Sequence, residues 1–146
     1  MFYLDFDAHQ GSPNKLTGSI NISPNKIRPC FEDLKQICNY LAEVDSMFDI
    51  SFSGRGFHVY VYGEATNNIR QLTAFFNNMK KLTSNGTLDS SAVSSRRLRR
   101  VRNTMNMKAS HGDGCYYCIP LTLDDVRNLD IDSILEMAKT PNPIPL

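Results

Sequence analysis

Apolar and polar residues alternate in several short segments of the chain, the pattern of β-strands with one buried face. At the N-terminus the apolar residues Phe2, Leu4 and Phe6 take every second position, which predicts a strand over residues 2–8. The other segments with strand-like patterns cover residues 19–22, 48–53, 57–62, 98–102 and 116–119.

Two longer segments repeat apolar residues every three or four positions, as amphipathic helices do. Pro29 suits the first position of a helix, because that position needs no backbone N–H. The predicted helices run from Pro29 to about Glu43, from Ala65 to about Thr83 with residues 84–86 closing the second one, from the N-cap Thr122 over a short acidic stretch, and over residues 132–139.

The predicted elements follow the order β-α-β-β-α-β, with a short helical tail. This is the order of the split βαβ, or ferredoxin-like, α+β fold that RRM domains also use. In that fold the first and third strands lie side by side in the middle of the sheet. We therefore predict an RRM-like α+β core over residues 1–121 and a C-terminal helical tail over residues 122–146.

The composition fits one globular domain. A length of 146 residues with 41% hydrophobic residues is enough to bury a core without disulfide or metal staples. No apolar run reaches the roughly 18–20 residues of a membrane span, and Asp5 interrupts the N-terminal apolar stretch before it resembles a secretory signal. The four cysteines are unevenly spaced and do not resemble a disulfide framework, so a cytoplasmic protein with no membrane partner is expected.

The formal net charge of +1 conceals an uneven distribution of charge. Six basic residues and no acidic residue fall within residues 95–108, so the remaining chain carries ten basic and fifteen acidic residues, a net charge of −5. A basic segment on an otherwise acidic protein indicates a local anion-binding site. The alternative is a solvated face or the exposed side of a strand.

Asp5 and Asp7 lie two positions apart on the first predicted strand, so both side chains project from one face, roughly 7 Å apart. Aspartate is depleted in strand interiors, and neighbouring carboxylates repel each other unless a cation or a base lies between them. Hard carboxylate oxygens suit Mg²⁺ or Mn²⁺, so the pair predicts a divalent metal site. Two solvated surface acids are the alternative.

His58 stands near the start of another predicted strand, after the turn Ser53-Gly54-Arg55-Gly56. Glycines let backbone amides approach a ligand, and consecutive N–H groups in such a turn bind anions. Metal-binding acids, a glycine turn, a histidine and basic residues together indicate a nucleoside triphosphate site. Taken alone, a histidine here is as readily structural as functional.

These motifs, in this order, resemble the archaeo-eukaryotic primase superfamily. In that family a hydrophobic run ends in Asp-x-Asp, as the run before Asp5 and Asp7 does, and a Ser-x-His-type motif follows, here from Ser53 to His58. A third motif places an acid after a hydrophobic residue; Asp89, which follows Leu88, is the candidate. Asp113 is the reserve for that acid, and the resemblance covers about residues 2–121.

Downstream the family often shows an Arg-hydrophobic-Pro-x-Ser/Thr-x-His/Asn-x-Lys pattern. The stretch at residues 100–108 matches it at Arg100, Thr104, Asn106 and Lys108, whereas Arg102 replaces the proline.

The resemblance implies a metal-dependent nucleotidyltransferase, a DNA primase or primase–polymerase that adds nucleotides to a primer on a DNA template. Asp5, Asp7 and Asp89 would be the catalytic acids and would hold two Mg²⁺ or Mn²⁺ ions. The residues implied for nucleotide binding are Ser53, Arg55, Gly56, His58, Arg100, Asn106 and Lys108. Arg97, Arg99 and Arg102 would bind DNA phosphates, so that DNA binding weakens as salt rises.

Two departures from the family pattern bear on what this chain is. It opens directly on the first motif, whereas family members usually carry a module before it, and a zinc-binding insertion is not evident. The chain is thus expected to be a minimal catalytic core, a fragment, or a small version from a mobile element or virus. A helicase or an accessory primase domain is a candidate partner besides nucleoside triphosphates and DNA.

Other functions stay open. A catalytically degenerate RRM-like nucleic-acid-binding module is one, although such a sheet favours aromatic residues over paired aspartates. A metal-dependent phosphohydrolase of another fold is a second. A zinc site at His111, Cys115 and Cys118 is a further alternative; their spacing is ligand-like, but no fourth ligand is obvious.

Overall fold

A computed structural model describes residues 2–8, 18–63, 68–89 and 101–141 of the chain. The strands within these described residues are β1 (Phe2–Asp7), β2 (Ile20–Asn21), β3 (Phe48–Phe52), β4 (Gly56–Val61), β5 (Met105–Ser110), β6 (Cys115–Tyr117) and β7 (Ile119–Leu121). The helices in the same part of the chain are α1 (Pro24–Glu43), α2 (Ile69–Lys81), α3 (Leu123–Asn128) and α4 (Ile131–Met137). None of these helices is long and apolar enough to cross a membrane.

The larger sheet is antiparallel, with the strand order β1-β4-β3-β7. Beyond β1, Leu88 forms an isolated antiparallel bridge with Phe6. The α+β class is confirmed. Strands β1 and β4, which correspond to the predicted strands over residues 2–8 and 57–62, are neighbours, as expected for the first and third strands of the β-α-β-β-α-β core. The complete RRM-like order stays a prediction, because one bridge stands where a fourth strand of that fold would lie.

A smaller sheet joins β2, β5 and β6, with β2 parallel and β6 antiparallel to β5. It meets the larger sheet at the turn between β3 and β4. There the side chain of Asn106 on β5 donates a hydrogen bond to the carbonyl oxygen of Ser53, 2.7 Å away. The two sheets are thus fastened together beside the glycine turn.

Helix α1 begins at Pro24, five residues before the predicted start at Pro29, which instead lies inside the helix. Ser23 is in an extended conformation and serves as the N-cap, so Pro24 takes the position that needs no N–H. The additional turn buries Ile27 completely. Both prolines could open a helix, and this buried side chain favours the earlier one.

The predicted strand over residues 98–102 is wrong in its described part. Residues 90–100 lie outside the described residues, whereas Arg102 and Asn103 form a turn with Asn103 at φ 61°. The strand of this region is β5, further along the chain.

The predicted strand over residues 116–119 is interrupted at Cys118. The Cys118 N–H donates to the Thr104 carbonyl, and its carbonyl accepts from the Asn103 N–H. The chain therefore leaves the smaller sheet at Tyr117 and joins the larger one at Ile119.

Helix α1 packs against β1 and β4, and α3 and α4 pack against α1. The described part of the predicted tail therefore contributes to the same hydrophobic core, with Val126, Ile131 and Ile134 buried in it. The division at residue 121 stays a prediction.

Candidate metal and nucleotide site

The larger sheet has one apolar and one polar face near β1. Strand alternation sends Leu4 and Phe6 into the core, so Asp5 and Asp7 project from the opposite face. The strand register aligns Asp5 with His58 on β4, and His58 with Ser51 on β3. A row of polar side chains therefore crosses three strands.

Asp89 joins Asp5 and Asp7 through the backbone of the segment after α2. The Asp89 N–H donates to the Asp5 carbonyl oxygen at 2.8 Å, and the Asp7 N–H donates to the Thr87 carbonyl at 3.0 Å. One carboxylate oxygen from each of the three aspartates lies within 4.8 Å of the others. We call Asp5, Asp7 and Asp89 the acid cluster.

The acid cluster is graded in exposure: Asp5 is 5% exposed, Asp89 is half-buried and Asp7 is exposed. The pKa of Asp7 is raised from its ordinary 3.8 to about 6, mainly because its carboxylate loses hydration in the folded protein, and then because Asp5 and Asp89 repel its charge. Nearby His58 acts in the opposite direction.

The residues present fit a divalent cation. Three carboxylates supply hard oxygen ligands at close range, and their mutual repulsion is the kind that a bound Mg²⁺ or Mn²⁺ relieves. In the described residues, this is the one group of three or more acidic, histidine or cysteine side chains with ligand atoms that close.

His58 lies directly beside the acid cluster. Its Nε2 is 3.3 Å from Oδ1 of Asp5, and the ring contacts Tyr3 edge-on, with 5.0 Å between ring centroids. The His58 Nδ1 atom is buried and has no hydrogen-bond partner among the described residues. The imidazole thus contacts an acid through Nε2, and Nδ1 on its other side can still form a hydrogen bond.

The turn before β4 is closed by its own first residue. The Ser53 N–H donates to the Gly56 carbonyl at 2.8 Å, and the Gly56 N–H donates to the Ser53 hydroxyl at 3.0 Å. A Cβ at Gly56 would stand 1.9 Å from the carbonyl oxygen of Phe6, so β1 approaches here too closely for any other residue. Arg55 at the tip is half-buried.

The Asn106 side chain holds this turn against β5 through a hydrogen bond. Its amide nitrogen bonds the Ser53 carbonyl, its oxygen accepts from the Lys108 N–H at 3.1 Å, and the residue is 3% exposed. The nucleotide contact implied for Asn106 stays a prediction. Lys108 is exposed on the same strand.

The basic residues are only partly described. Arg97, Arg99 and Arg100 lie outside the described residues. Arg102 is half-buried and directs Nη2 to within 3.1 Å of Oδ2 of Asp49, beside a groove of about 720 Å³. The structure thus places Arg102 with an acid of β3 and outside the acid cluster, and its DNA contact stays a prediction.

Two alternatives can be located. Asp113, the reserve for the third acid, is exposed between β5 and β6, and Asp89 occupies the acid cluster instead. His111 packs edge-on against Tyr116, the Cys115 thiol donates to the carbonyl of Met107, and Cys118 is buried. His111, Cys115 and Cys118 do not form a metal-ligand group in the described part of the chain.

The sequence interpretation missed a pocket beside the acid cluster. This pocket of about 420 Å³ is lined by Asp7, Asp89, the loop at residues 85–88 and Lys26 of α1. The sequence could have indicated the loop, because residues 85–88 stand immediately before Asp89. No local pattern indicated Lys26, because its approach depends on how α1 packs.

No family model and no curated protein matches this chain. Among solved structures, the polymerase domain of Ligase D from Mycobacterium tuberculosis, in complex with DNA, is similar at a TM-score of 0.55 and 14% sequence identity. The likeness covers 93% of this chain and 50% of that chain, so this chain spans half the length of the polymerase domain. At this identity the likeness concerns the fold alone: the fold of this chain is distantly similar to that of the polymerase domain.

Proposed function

We propose that this protein is a metal-dependent nucleotidyltransferase of the primase–polymerase type, which adds nucleotides to a primer on a DNA template. The observation that carries the proposal is the acid cluster. Asp89 lies more than eighty residues from Asp5 and Asp7 in the chain, yet its backbone N–H donates to the Asp5 carbonyl and the carboxylates of the three residues lie close together. The similarity in fold to a polymerase domain supports the same reaction class.

The acid cluster would hold one or two divalent cations in this activity. When bound, such cations supply Lewis-acid stabilisation of the attacking and leaving oxygens in phosphoryl transfer. Asp5 is fixed by the sheet and by its contact with His58, whereas the exposed Asp7 is accessible to a substrate on the open side. The reaction needs no nucleophile from the protein, because the 3′-hydroxyl of the primer attacks the nucleotide and pyrophosphate leaves.

His58 and the turn at residues 53–56 would receive the triphosphate. His58 stands next to the acid cluster with Nδ1 unused by described residues, so an N–H at that atom could donate a hydrogen bond to a phosphate oxygen. Half-buried Arg55 and exposed Lys108 would add positive charge from the turn and from β5. Ser53 and Gly56 shape the turn through their mutual hydrogen bonds, and Asn106 keeps it in place.

The basic segment would bind the nucleic acid. Arg100 is proposed as a further triphosphate contact, and Arg97, Arg99 and Arg102 as contacts to template phosphates. Such contacts release counterions, so DNA affinity should fall steeply with added salt.

The test is incorporation of labelled nucleotides on a DNA template with Mg²⁺ or Mn²⁺, with and without a primer. Asp5→Asn and Asp89→Asn should abolish incorporation while leaving the circular dichroism spectrum unchanged. Asp113→Asn is the matched control, since it removes an exposed acid outside the acid cluster. Wild-type incorporation by Asp5→Asn or Asp89→Asn would contradict the proposal, and DNA binding without incorporation by the wild type would favour a binding module.

A further inference from the structure

Asp33 is an aspartate fully buried on helix α1, with an exposed fraction of 0%. It lies on the apolar face of the helix, three residues after Cys30 and four before Ile37, both also buried. A carboxylate in such a position requires compensating hydrogen bonds, because burying it without them is strongly unfavourable.

Among the described residues, the donors to this carboxylate come from one loop, residues 84–87, which follows α2. Oδ1 of Asp33 accepts from the backbone N–H groups of Ser84 and Asn85, at 3.2 and 3.0 Å. Oδ2 accepts from the backbone N–H and the hydroxyl of Thr87, at 3.0 and 2.6 Å. Four donors from a short loop thus converge on a single carboxylate more than fifty residues earlier in the chain.

Other side chains of α1 hold the same loop from its exposed side. Gln36 exchanges two hydrogen bonds with Ser84, and the Asn85 amide donates to the carbonyl of Pro29 and to the carboxylate of Glu32. Asp33 is the fully buried member of this set.

The loop leads directly into the acid cluster. Thr87 accepts the N–H of Asp7 through its carbonyl, and Asp89, two residues later, donates its N–H to the carbonyl of Asp5. Thr87 therefore bonds Asp33 with its N–H and side chain and β1 with its carbonyl. The position of Asp89 relative to Asp5 and Asp7 depends on a loop that Asp33 fixes.

We propose that Asp33 is a positioning residue that sets the divalent-cation affinity of the acid cluster by anchoring the loop that carries Asp89. The inference rests on the proposed function, which assigns a cation to the acid cluster. Asp33 itself bonds the loop and acts on the cation only through the placement of Asp89.

The experiment measures binding of Mn²⁺ alone to the full-length protein, from the electron paramagnetic resonance signal of free Mn²⁺. Asp33→Asn keeps the size of the side chain, but its NH₂ group faces donors of the loop, so the anchoring fails. Its dissociation constant for Mn²⁺ should rise by roughly 10-fold, the lower range for residues that orient metal ligands. Ile37→Val and Leu41→Ala are the controls: they lower the free energy of unfolding by a small and a large amount from the same helix and leave the contacts of the loop intact. Their Mn²⁺ affinity should match the wild type.

A second pair of variants tests the inference if Asp33→Asn does not fold. Thr87→Val removes the hydroxyl that bonds Asp33 and that also bonds the Cys30 thiol, and should weaken Mn²⁺ binding. Thr87→Ser keeps that hydroxyl and should bind Mn²⁺ like the wild type. Wild-type Mn²⁺ affinity in a folded Asp33→Asn or in Thr87→Val would overturn the positioning role and leave the proposed function standing. Equal weakening in Leu41→Ala would also overturn it, and absence of Mn²⁺ binding by the wild type would overturn both.

Discussion

Asp5 and His58 face each other across the paired strands β1 and β4, with 3.3 Å between Oδ1 of Asp5 and Nε2 of His58. Both residues are buried, and Asp5 is at the same time a member of the acid cluster. A metal-binding carboxylate and a phosphate-binding imidazole would therefore share a contact, so that a change in either side chain affects the other.

Replacing His58 should affect nucleotide binding more than DNA binding. His58→Ala removes the group proposed to face the triphosphate, and should raise the nucleotide KM by about 10-fold or more, the effect of a lost charge-assisted hydrogen bond. Steady-state incorporation at varied nucleotide concentration measures KM, and fluorescence anisotropy measures the DNA Kd. An unchanged KM, or a DNA Kd that rises as much as KM, would contradict the triphosphate role.

Neutralising Asp7 should stabilise the protein when no metal is bound. Because folding raises the Asp7 pKa from 3.8 to about 6, the penalty of ionising it is absent below about pH 4 and complete above pH 6. Asp7→Asn in a chelating buffer should raise the free energy of unfolding at neutral pH by up to about 1 kcal/mol, since Asp7 is exposed and water reduces both the loss of hydration and the repulsion.

This gain should shrink as pH falls from 6 towards 4, which urea titrations over that range would measure. The same variant should lose nucleotide incorporation. A gain that grows at lower pH would show that the sign of the pKa shift is wrong.

Gly56 should tolerate no side chain. A Cβ there would meet the backbone oxygen of Phe6 at 1.9 Å, and the strands β1 and β4 cannot separate without losing their hydrogen bonds. Gly56→Ala should lower the free energy of unfolding by at least ~3 kcal/mol, the upper range for overpacking. Gly63→Ala is the matched control because a Cβ there meets nothing within 4 Å, and its stability should change by less than about 0.5 kcal/mol.

Divalent cations should raise the melting temperature through the acid cluster. A ligand present at 100 times its Kd stabilises the folded state by about 2.7 kcal/mol, and each kcal/mol raises Tm by about 2–4 °C in a domain near this size. Differential scanning fluorimetry with Mn²⁺ should show this rise in the wild type and in Asp113→Asn. A rise of the same size in Asp89→Asn would place the bound cation elsewhere.

Several elements were predictable because their patterns are local. The alternation of β1, the apolar face of α1 up to Glu43 and the capping of α3 by Thr122 all lie within a few residues of one another. The start of α1 was not predictable, since Pro24 and Pro29 both suit the first position of a helix and the burial of Ile27 favoured Pro24. The break at Cys118 was not either, because it marks a change of partner strand.

The candidate site divides in the same way. The pairing of Asp5 with Asp7 follows from the two-residue period of a strand, and the glycine turn before His58 is visible in the sequence. The choice of Asp89 over Asp113 came from resemblance, and its place in the acid cluster became visible only in the fold. Asn106, implied as a nucleotide contact, is a buried side chain that bonds the turn, which no spacing could indicate.

The sequence by itself determined that two aspartates share one face of the first strand and that basic charge collects late in the chain. Both follow from spacing and composition, which are properties of short segments. The tertiary structure alone decided that Asp89 reaches Asp5 and that His58 Nε2 lies 3.3 Å from Oδ1 of Asp5. It also decided that Asp33 accepts hydrogen bonds from the loop that leads to Asp89. These contacts join residues about fifty or more positions apart, and long-range register and packing, rather than any local period, bring such residues together.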